Sequence, residues 1–265
     1  MMTAFDHIAS DYDKDFTYSS IGILQRQKVW QYLETALPEK PISILELNCG
    51  TGEDAIYLAQ KGHHVVASDL SKQMIVTAKE KAVKLGLEHQ IKFVCCNINK
   101  IEKVDIENKF DLIFSNFGGL NCVDAMALKK LSIVSAQLLK PGGRFIGVIM
   151  PKFCLWESLY FMGKGKRKQV LRRATKGPLQ VMINDEAVET WYYSPDRIKS
   201  IFQDNFSLKA IKPIGFFLPP SYLQQFFWRK QGLLHKLNKL ETAVNGFSGL
   251  SRYSDHFLID LELQT

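Results

Sequence analysis

Two glycines one residue apart, Gly50 and Gly52, follow the apolar run Pro41-Ile42-Ser43-Ile44-Leu45-Glu46-Leu47 and precede Glu53-Asp54-Ala55-Ile56-Tyr57-Leu58, a segment with helical spacing. Bare backbone at such a turn lets a ligand approach the carboxyl end of a strand. Read loosely, Gly50-x-Gly52-x-x-Ala55 matches a dinucleotide fingerprint. Electrostatics argue otherwise: a pyrophosphate would sit at the helix N-terminus, where Glu53 and Asp54 place two carboxylates. Glu46 adds a third at the end of the run, able to hold an ammonium or a water network. Asp69, which ends the next apolar run, can accept both hydroxyls of a ribose. A nucleoside carrying an amino acid, without phosphates, satisfies all four acids.

These residues need a frame. His64-Val65-Val66-Ala67-Ser68-Asp69 reads as a second strand, with Ser71 capping a helix to about Leu85-Gly86. Ile91 to Cys96 and Phe110 to Ser115 read as two more strands. A helix from about Asp124 to Leu139 follows, and Lys140-Pro141-Gly142-Gly143 turns into a fifth strand, Arg144 to Met150. Five strands alternating with helices predict a parallel sheet covered on both faces, an α/β doubly wound fold. After Met150, residues 151–180 read as an amphipathic basic insertion and Glu189 to Tyr193 as a strand. Ser194-Pro195-Asp196 opens a helix. Phe206 to Phe217 reads as a strand broken by Pro213, a Lys- and aromatic-rich helical segment runs to about Val244, and His256 to Leu263 is the last strand. The expected organisation is an N-terminal helical cap (1–40), a nucleoside-binding core (41–150) and a basic, aromatic-rich insertion or lid with the last two strands (151–265).

Four segments together resemble the class I S-adenosylmethionine-dependent methyltransferases: Leu45-Glu46-Leu47-Asn48-Cys49-Gly50-Thr51-Gly52, Ala67-Ser68-Asp69-Leu70-Ser71-x-x-Met74, Phe110-Asp111-Leu112-Ile113-Phe114-Ser115 and Leu139-Lys140-Pro141-Gly142-Gly143-Arg144. The opening Phe5-Asp6-x-Ile8-Ala9-x-x-Tyr12-Asp13 is similar to the segment covering the cofactor in small-molecule members such as the quinone methyltransferases. The resemblance implies a seven-stranded, mostly parallel sheet with its last strand antiparallel, and S-adenosylmethionine as cofactor. It implies that Glu46, Asn48, Cys49, Gly50 and Gly52 meet the methionine moiety and Asp69 the ribose. Leu70 and Met74 would pack around the adenine, with Asn97 and Ile98 at its edge. Tyr12 and Arg26 are expected from the cap, and Ser115 and Asn116 beside the transferred methyl. Two positions depart from the family. Asn48 replaces a usual glycine, which the turn tolerates because Asn adopts left-handed backbone. Asn97 replaces a usual aspartate and weakens the adenine contact.

Methyl transfer needs a positioned nucleophile and exclusion of water, with proton removal where the acceptor is a hydroxyl. His7 and His256 are the base candidates. Phe117, Asn121, Tyr192, Phe217 and Tyr222 are candidate substrate residues, each equally readable as core. Ser115-Asn116-Phe117-Gly118 stands where nucleic-acid amino-methylating relatives carry Asn-Pro-Pro-Tyr, which argues against base methylation. The expected reaction is methyl transfer to a small aromatic or lipophilic metabolite, with oxygen favoured. Two alternatives stay open: an RNA methyltransferase using the basic 164–176 segment, and a non-catalytic nucleoside-binding or assembly protein.

Composition sets the outer limits. Among 265 residues, 46% are hydrophobic and 23% charged, an ordinary globular balance that excludes disorder or coiled coil for the whole. Five cysteines without CxxC spacing speak against a disulfide scaffold or structural zinc, and no metal-ligand pattern appears. A cytoplasmic location is expected, with no signal peptide and no run long enough to span a membrane. Residues 1–150 carry 17 Lys+Arg and 17 Asp+Glu, whereas residues 151–265 carry 17 against 10, so the whole +7 excess lies in the last part. Lys164, Lys166, Arg167, Lys168, Arg172, Arg173 and Lys176 are its densest stretch, readable as a solvated face or as a surface for an anionic partner.

Overall fold

The computed structural model describes residues 5–7, 9–104, 109–183 and 186–264, so Ile8 of the opening motif lies outside the described residues. Among the described residues nine strands form: β1 (Ser43–Leu47), β2 (His64–Asp69), β3 (Ile91–Cys95), β4 (Phe110–Ser115), β5 (Leu139–Ile149), β6 (Leu179–Ile183), β7 (Glu186–Thr190), β8 (Phe206–Ile214) and β9 (His256–Leu263). The helices are α1 (Ala9–Tyr12), α2 (Ser20–Ala36), α3 (Glu53–Gln60), α4 (Lys72–Lys84), α5 (Ala125–Leu138), α6 (Leu155–Gly163), α7 (Pro195–Phe202), α8 (Gln224–Phe227) and α9 (Gln231–Val244). Seven strands form one sheet in the order β3-β2-β1-β4-β5-β9-β8. Pairs from β3 through β5 are parallel, and β9 runs antiparallel to both neighbours. The doubly wound α/β sheet with an antiparallel last strand is thus the observed fold.

The centre of the sheet is buried on both faces because β1, β4 and the second half of β5 are mostly apolar. On one face Ile44, Ala67, Leu112, Phe114, Ile146 and Val148 pack against α2, α3 and α4. On the other, Leu45, Leu47, Ile113, Phe145 and Ile259 pack against α5 and α7. Helix starts follow their caps: Ser19, Ser71, Asp124 and Ser194 each accept a backbone N–H from the first turn. Order reversal between β1 and β4 opens a crevice at the carboxyl ends of those strands, where the glycine loop lies.

Two expectations need correction. The strand expected at 189–193 lies at Glu186–Thr190 and pairs with Leu179–Ile183 in a separate hairpin, β6–β7, outside the main sheet. Its other strand starts at the end of the stretch read as basic insertion (151–180) and runs past it, five residues alternating in burial. The turn at Lys140–Gly143 is a bulge inside β5, whose pairing with β4 shifts between Phe110 and Leu112. Pro213 sits within β8, tolerated because β8 is an edge strand.

One carboxylate closes the fold beyond β8. Glu241 of α9, 2% exposed, accepts the backbone N–H groups of Gly215 and Phe216 at one oxygen and of Phe217 and Leu218 at the other, at 2.6–3.2 Å. Glu241→Gln turns an amide donor toward two of those four N–H groups. It should cost about 2–4 kcal/mol and lower the unfolding midpoint by roughly 4–12 °C; an unchanged melt would show that the loop does not depend on this anion.

Candidate active site

The loop after β1 is built from alternating left-handed residues: Asn48 at φ 57°, Gly50 at 53° and Gly52 at 80°. At Gly52 a Cβ would come 2.8 Å from the Ala78 Cβ, so glycine lets α3 start directly against α4. Asp69 fixes the loop from the neighbouring strand: its Oδ2 accepts Gly50 N–H at 2.9 Å and its Oδ1 accepts Ser71 N–H at 2.8 Å. Burial raises the Asp69 carboxyl while these backbone donors oppose the rise. Each oxygen retains acceptor capacity for a hydroxyl.

Asn48, the departure from the family glycine, has a partner on the next strand. Its Oδ1 accepts the Ser115 hydroxyl at 3.5 Å, and a Cβ built at Gly119 would lie 2.4 Å from the Asn48 Cβ. Gly119 therefore provides the space that the Asn48 side chain fills. Gly119→Ala should cost about 1–3 kcal/mol by overpacking, and Asn48→Gly should restore most of it in the double variant. Additive losses in a thermal-melt cycle would refute the coupling.

The N-terminal segment covers the loop. A Cβ at Gly50 would stand 4.0 Å from the Tyr12 ring. Asp13 accepts the Thr51 hydroxyl at 2.5 Å and pairs with Lys81 at 2.8 Å, and Lys81 also holds Glu53 at 2.5 Å. Asp6 accepts the Ser71 hydroxyl at 2.6 Å and Gln73 N–H at 3.1 Å, joining the cap of α4. Ile183 of the β6–β7 hairpin packs with Phe5 and Tyr12 against Ala9 and Met74, so the hairpin reaches the same cover. Beneath it lies a cavity of about 40 Å³ lined by Tyr12, Thr17, Arg26, Asn48, Cys49, Gly50, Thr51, Glu53, Asp54, Asn116 and Phe117. That volume is small for a nucleoside, and entry requires these latches to part.

Asp54 gathers the cavity walls. Its carboxylate pairs with Arg26 Nη1, accepts Asn116 Nδ2 at 3.1 Å and accepts Trp30 Nε1 at 2.7 Å. Buried polar atoms nearby without a hydrogen-bond partner include Thr17 Oγ1, Arg26 Nε and Glu46 Oε2. Burial pushes the Glu46 carboxyl far up, Asp54 and Asp69 push it further, and Arg26 pulls against them. A guanidinium N–H and a hydroxyl suit a carboxylate, and Glu46 suits an ammonium, so these atoms fit the amino-acid end of the expected nucleoside.

Phe117 forms the far wall at φ 41°, a left-handed conformation costly for an aromatic residue and found at functional sites. Arg26 lies 5.1 Å from its ring centroid, and the His256 ring meets it edge-on at 5.2 Å. His256 Nδ1 is 3.2 Å from Asp255 Oδ2. Asp255 also pairs with Arg173 at 2.9 Å; burial alone would raise it, but His256 and Arg173 hold it well below the usual carboxylate range.

Seven predicted residues therefore line the cavity: Tyr12, Arg26, Asn48, Cys49, Gly50, Asn116 and Phe117. Glu46, Gly52, Asp69 and His256 adjoin it. Ser115 is fully buried behind Asn48 and faces the loop instead of the cavity. Leu70 is half exposed and Met74 is buried with Ala9; Asn97 caps the turn at Ile98, its side chain accepting Asn99 N–H at 2.9 Å. Asn121 is buried and spent on structure, bonded to the Met150 and Trp191 backbone. His7 stands apart, 3.4 Å from Glu186 of the hairpin. Phe217 belongs to the Glu241 loop; Tyr192 and Tyr222 border Arg173 and Glu157. Sequence reasoning missed Thr17 and the structural role of Asp54. The spacing Arg26-x-x-x-Trp30, one face of a helix, was the available signal.

A doubly wound α/β sheet with a glycine-loop crevice at its switch point is the class that fold and site define. Residues 44–143 match a family model described as a methyltransferase domain. The tRNA 5-carboxymethoxyuridine methyltransferase of Escherichia coli K12 is 32% identical over 112 residues, 41% of this chain and 42% of that one. A ubiquinone/menaquinone biosynthesis C-methyltransferase of Rickettsia typhi is 31% identical over 150 residues, 54% and 57% of the two chains. The chain thus spans about half the length of the curated relatives it matches. The magnesium protoporphyrin IX methyltransferase of Synechocystis, solved with S-adenosylhomocysteine, superposes with a TM-score of 0.58 at 16% identity, covering 95% of this chain and 86% of that one. The likeness to methyltransferases thus lies in residues 44–143, within a fold shared with that S-adenosylhomocysteine-bound methyltransferase.

Glu46 gives a pH prediction. A carboxyl raised in the fold binds its proton more tightly there than in the unfolded chain, so its contribution is full below the ordinary glutamate range and is lost as pH rises through the raised value. Stability of the ligand-free protein should fall across that window, and Glu46→Gln should flatten the slope in denaturant titrations. An unchanged slope would place the titration elsewhere.

Proposed function

We propose that this protein transfers a methyl group from S-adenosylmethionine to a small apolar or aromatic acceptor, with oxygen as the acceptor atom. The observation that carries the reading is the trio of unpartnered buried atoms, Thr17 Oγ1, Arg26 Nε and Glu46 Oε2, beside a glycine loop braced by Asp69. The bound cofactor supplies an electrophilic methyl on a sulfonium and leaves as a neutral thioether.

The chain's own residues do the rest. Arg26 and Thr17 hold the carboxylate, Glu46 the ammonium and Asp69 the ribose hydroxyls. Tyr12 and the N-terminal cover exclude water, while Phe117 orients an apolar acceptor in line with the methyl. His256, its Nδ1 3.2 Å from Asp255 Oδ2, takes the hydroxyl proton at Nε2 as the acceptor oxygen attacks. The quinone-biosynthetic relatives support an apolar acceptor; the tRNA-modifying relative supports RNA instead. Against RNA, Arg172 and Arg173 of the basic segment are committed to Glu157 through bidentate pairs at 2.8–3.2 Å.

S-adenosylhomocysteine at about 100 times its dissociation constant should stabilise the protein by roughly 2.7 kcal/mol, raising the midpoint by about 5–10 °C. Glu46→Gln should abolish the rise. In methyl-transfer assays with phenols, catechols and hydroquinones, His256→Asn should lower kcat about 10²- to 10⁴-fold with the cofactor KM kept. No stabilisation of the folded protein by either sulfur nucleoside would sink the methyltransferase reading, and turnover on bulk tRNA alone would replace the acceptor.

A further inference from the structure

Helix α6 turns an apolar stripe outward. Leu155, Leu159 and Met162 share one helical face and all three are exposed, whereas Glu157, Ser158 and Phe161 are buried beneath them. Beside that helix, Trp156 meets Phe227 edge-on at 5.9 Å and Tyr160 meets Tyr222 at 6.0 Å. The surface therefore continues onto α8 and its end, where Phe226 is 60% and Trp228 70% exposed. Contiguous apolar surface of this kind marks an interaction site.

Its rim carries one sign of charge. The sequence holds no acid between Glu157 and Asp185, nor between Asp204 and Glu241. Lys164, Lys166, Arg167 and Lys168 follow α6 directly and are exposed; Arg229 and Lys230 follow Trp228. Lys230 Nζ lies 3.5 Å from the centroid of the Phe226 ring, so cation and aromatic present together. Glu157 is buried and consumed by Arg172 and Arg173, and neutralises none of the exposed rim.

The combination selects among partners. A nucleic acid would use the cations but gains nothing from outward Leu and Met side chains. A second copy would cover the apolar stripe but set two cationic rims against each other. An anionic lipid surface takes both: indole, phenyl and aliphatic groups enter the headgroup boundary while lysines and arginines meet the headgroups. We propose that this face, α6 with the Phe226–Lys230 segment, docks the protein onto membranes containing anionic lipid.

Location gives the docking a use. Helix α6 follows the carboxyl end of β5, the glycine loop follows the carboxyl end of β1, and the intervening pairs are parallel, so face and cleft share one end of the sheet. Docking would set the cleft toward the layer where an apolar acceptor dissolves. That use rests on the acceptor proposed above; the docking itself does not.

The test is co-sedimentation of the full chain with phosphatidylcholine vesicles, with and without a third of phosphatidylglycerol, alongside Trp228 emission. Binding is expected to the anionic vesicles only, weakening with salt and shifting the emission to the blue. Phe226→Ala or Trp228→Ala should each lower affinity about tenfold, and Lys166→Glu with Arg167→Glu and Lys168→Glu at least about a hundredfold. All these side chains are exposed, so unchanged stabilisation by S-adenosylhomocysteine reports an intact fold. Loss of that stabilisation in the unmutated protein with vesicle binding kept would count against the methyltransferase reading alone. The docking proposal is overturned by failure to bind anionic vesicles, by binding indifferent to these variants, by RNA displacing the vesicles, or by a lipid-free dimer that Trp228→Ala dissolves.

Discussion

Asp54 is the point on which the site depends. One carboxylate, 4% exposed, draws Arg26 and Trp30 from α2 and Asn116 from the end of β4 to the first turn of α3. Removing any of those partners leaves a buried charge short of a donor, which is expensive. The same contacts fix which Arg26 nitrogens are used, leaving Nε unpartnered toward the cavity. Structure and binding chemistry thus share one ion pair: its strength holds the walls, and its incompleteness leaves a donor for a ligand.

Above that pair, the cover is held by contacts of another kind. Lys81 bridges Asp13 and Glu53, all three about a fifth exposed, and Asp6 joins the buried Ser71. These contacts share no residue with the Asp54 cluster, so the N-terminal segment can part from the loop without breaking the Asp54 pairs. Rigid walls beneath a separately latched cover are what a site needs if its ligand must enter past Tyr12 and then be shielded from water.

Much of this was legible in the sequence, for a physical reason. β2, β4 and β9 coincide with their expected bounds because each is a buried apolar run ended by a turn or a polar break. Glycine-loop residues were legible because left-handed backbone admits few residue types, Asn48 among them. What escaped was non-local. Gly119 reads as a turn residue until Asn48, 71 residues earlier in the chain, is seen to occupy its space, and Asn121 reads as a substrate residue until its amide is found spent on Met150 and Trp191. Arg172 and Arg173 read as surface charge until Glu157 is found beneath them.

The same non-local pairing explains the charge asymmetry. In the first part of the chain cations and acids balance and meet across the site, as Lys81 and Arg26 do. In the later part, four acids lie inside: Glu157, Glu241, Asp255 and Asp260 are each at most 4% exposed, Glu157, Asp255 and Asp260 paired with arginine and Glu241 with backbone N–H groups. Burying the acids removes negative charge from the surface while the lysines stay outside. The formal excess of +7 is thereby sharpened at the surface, which is cationic along the acid-free stretches 158–184 and 205–240.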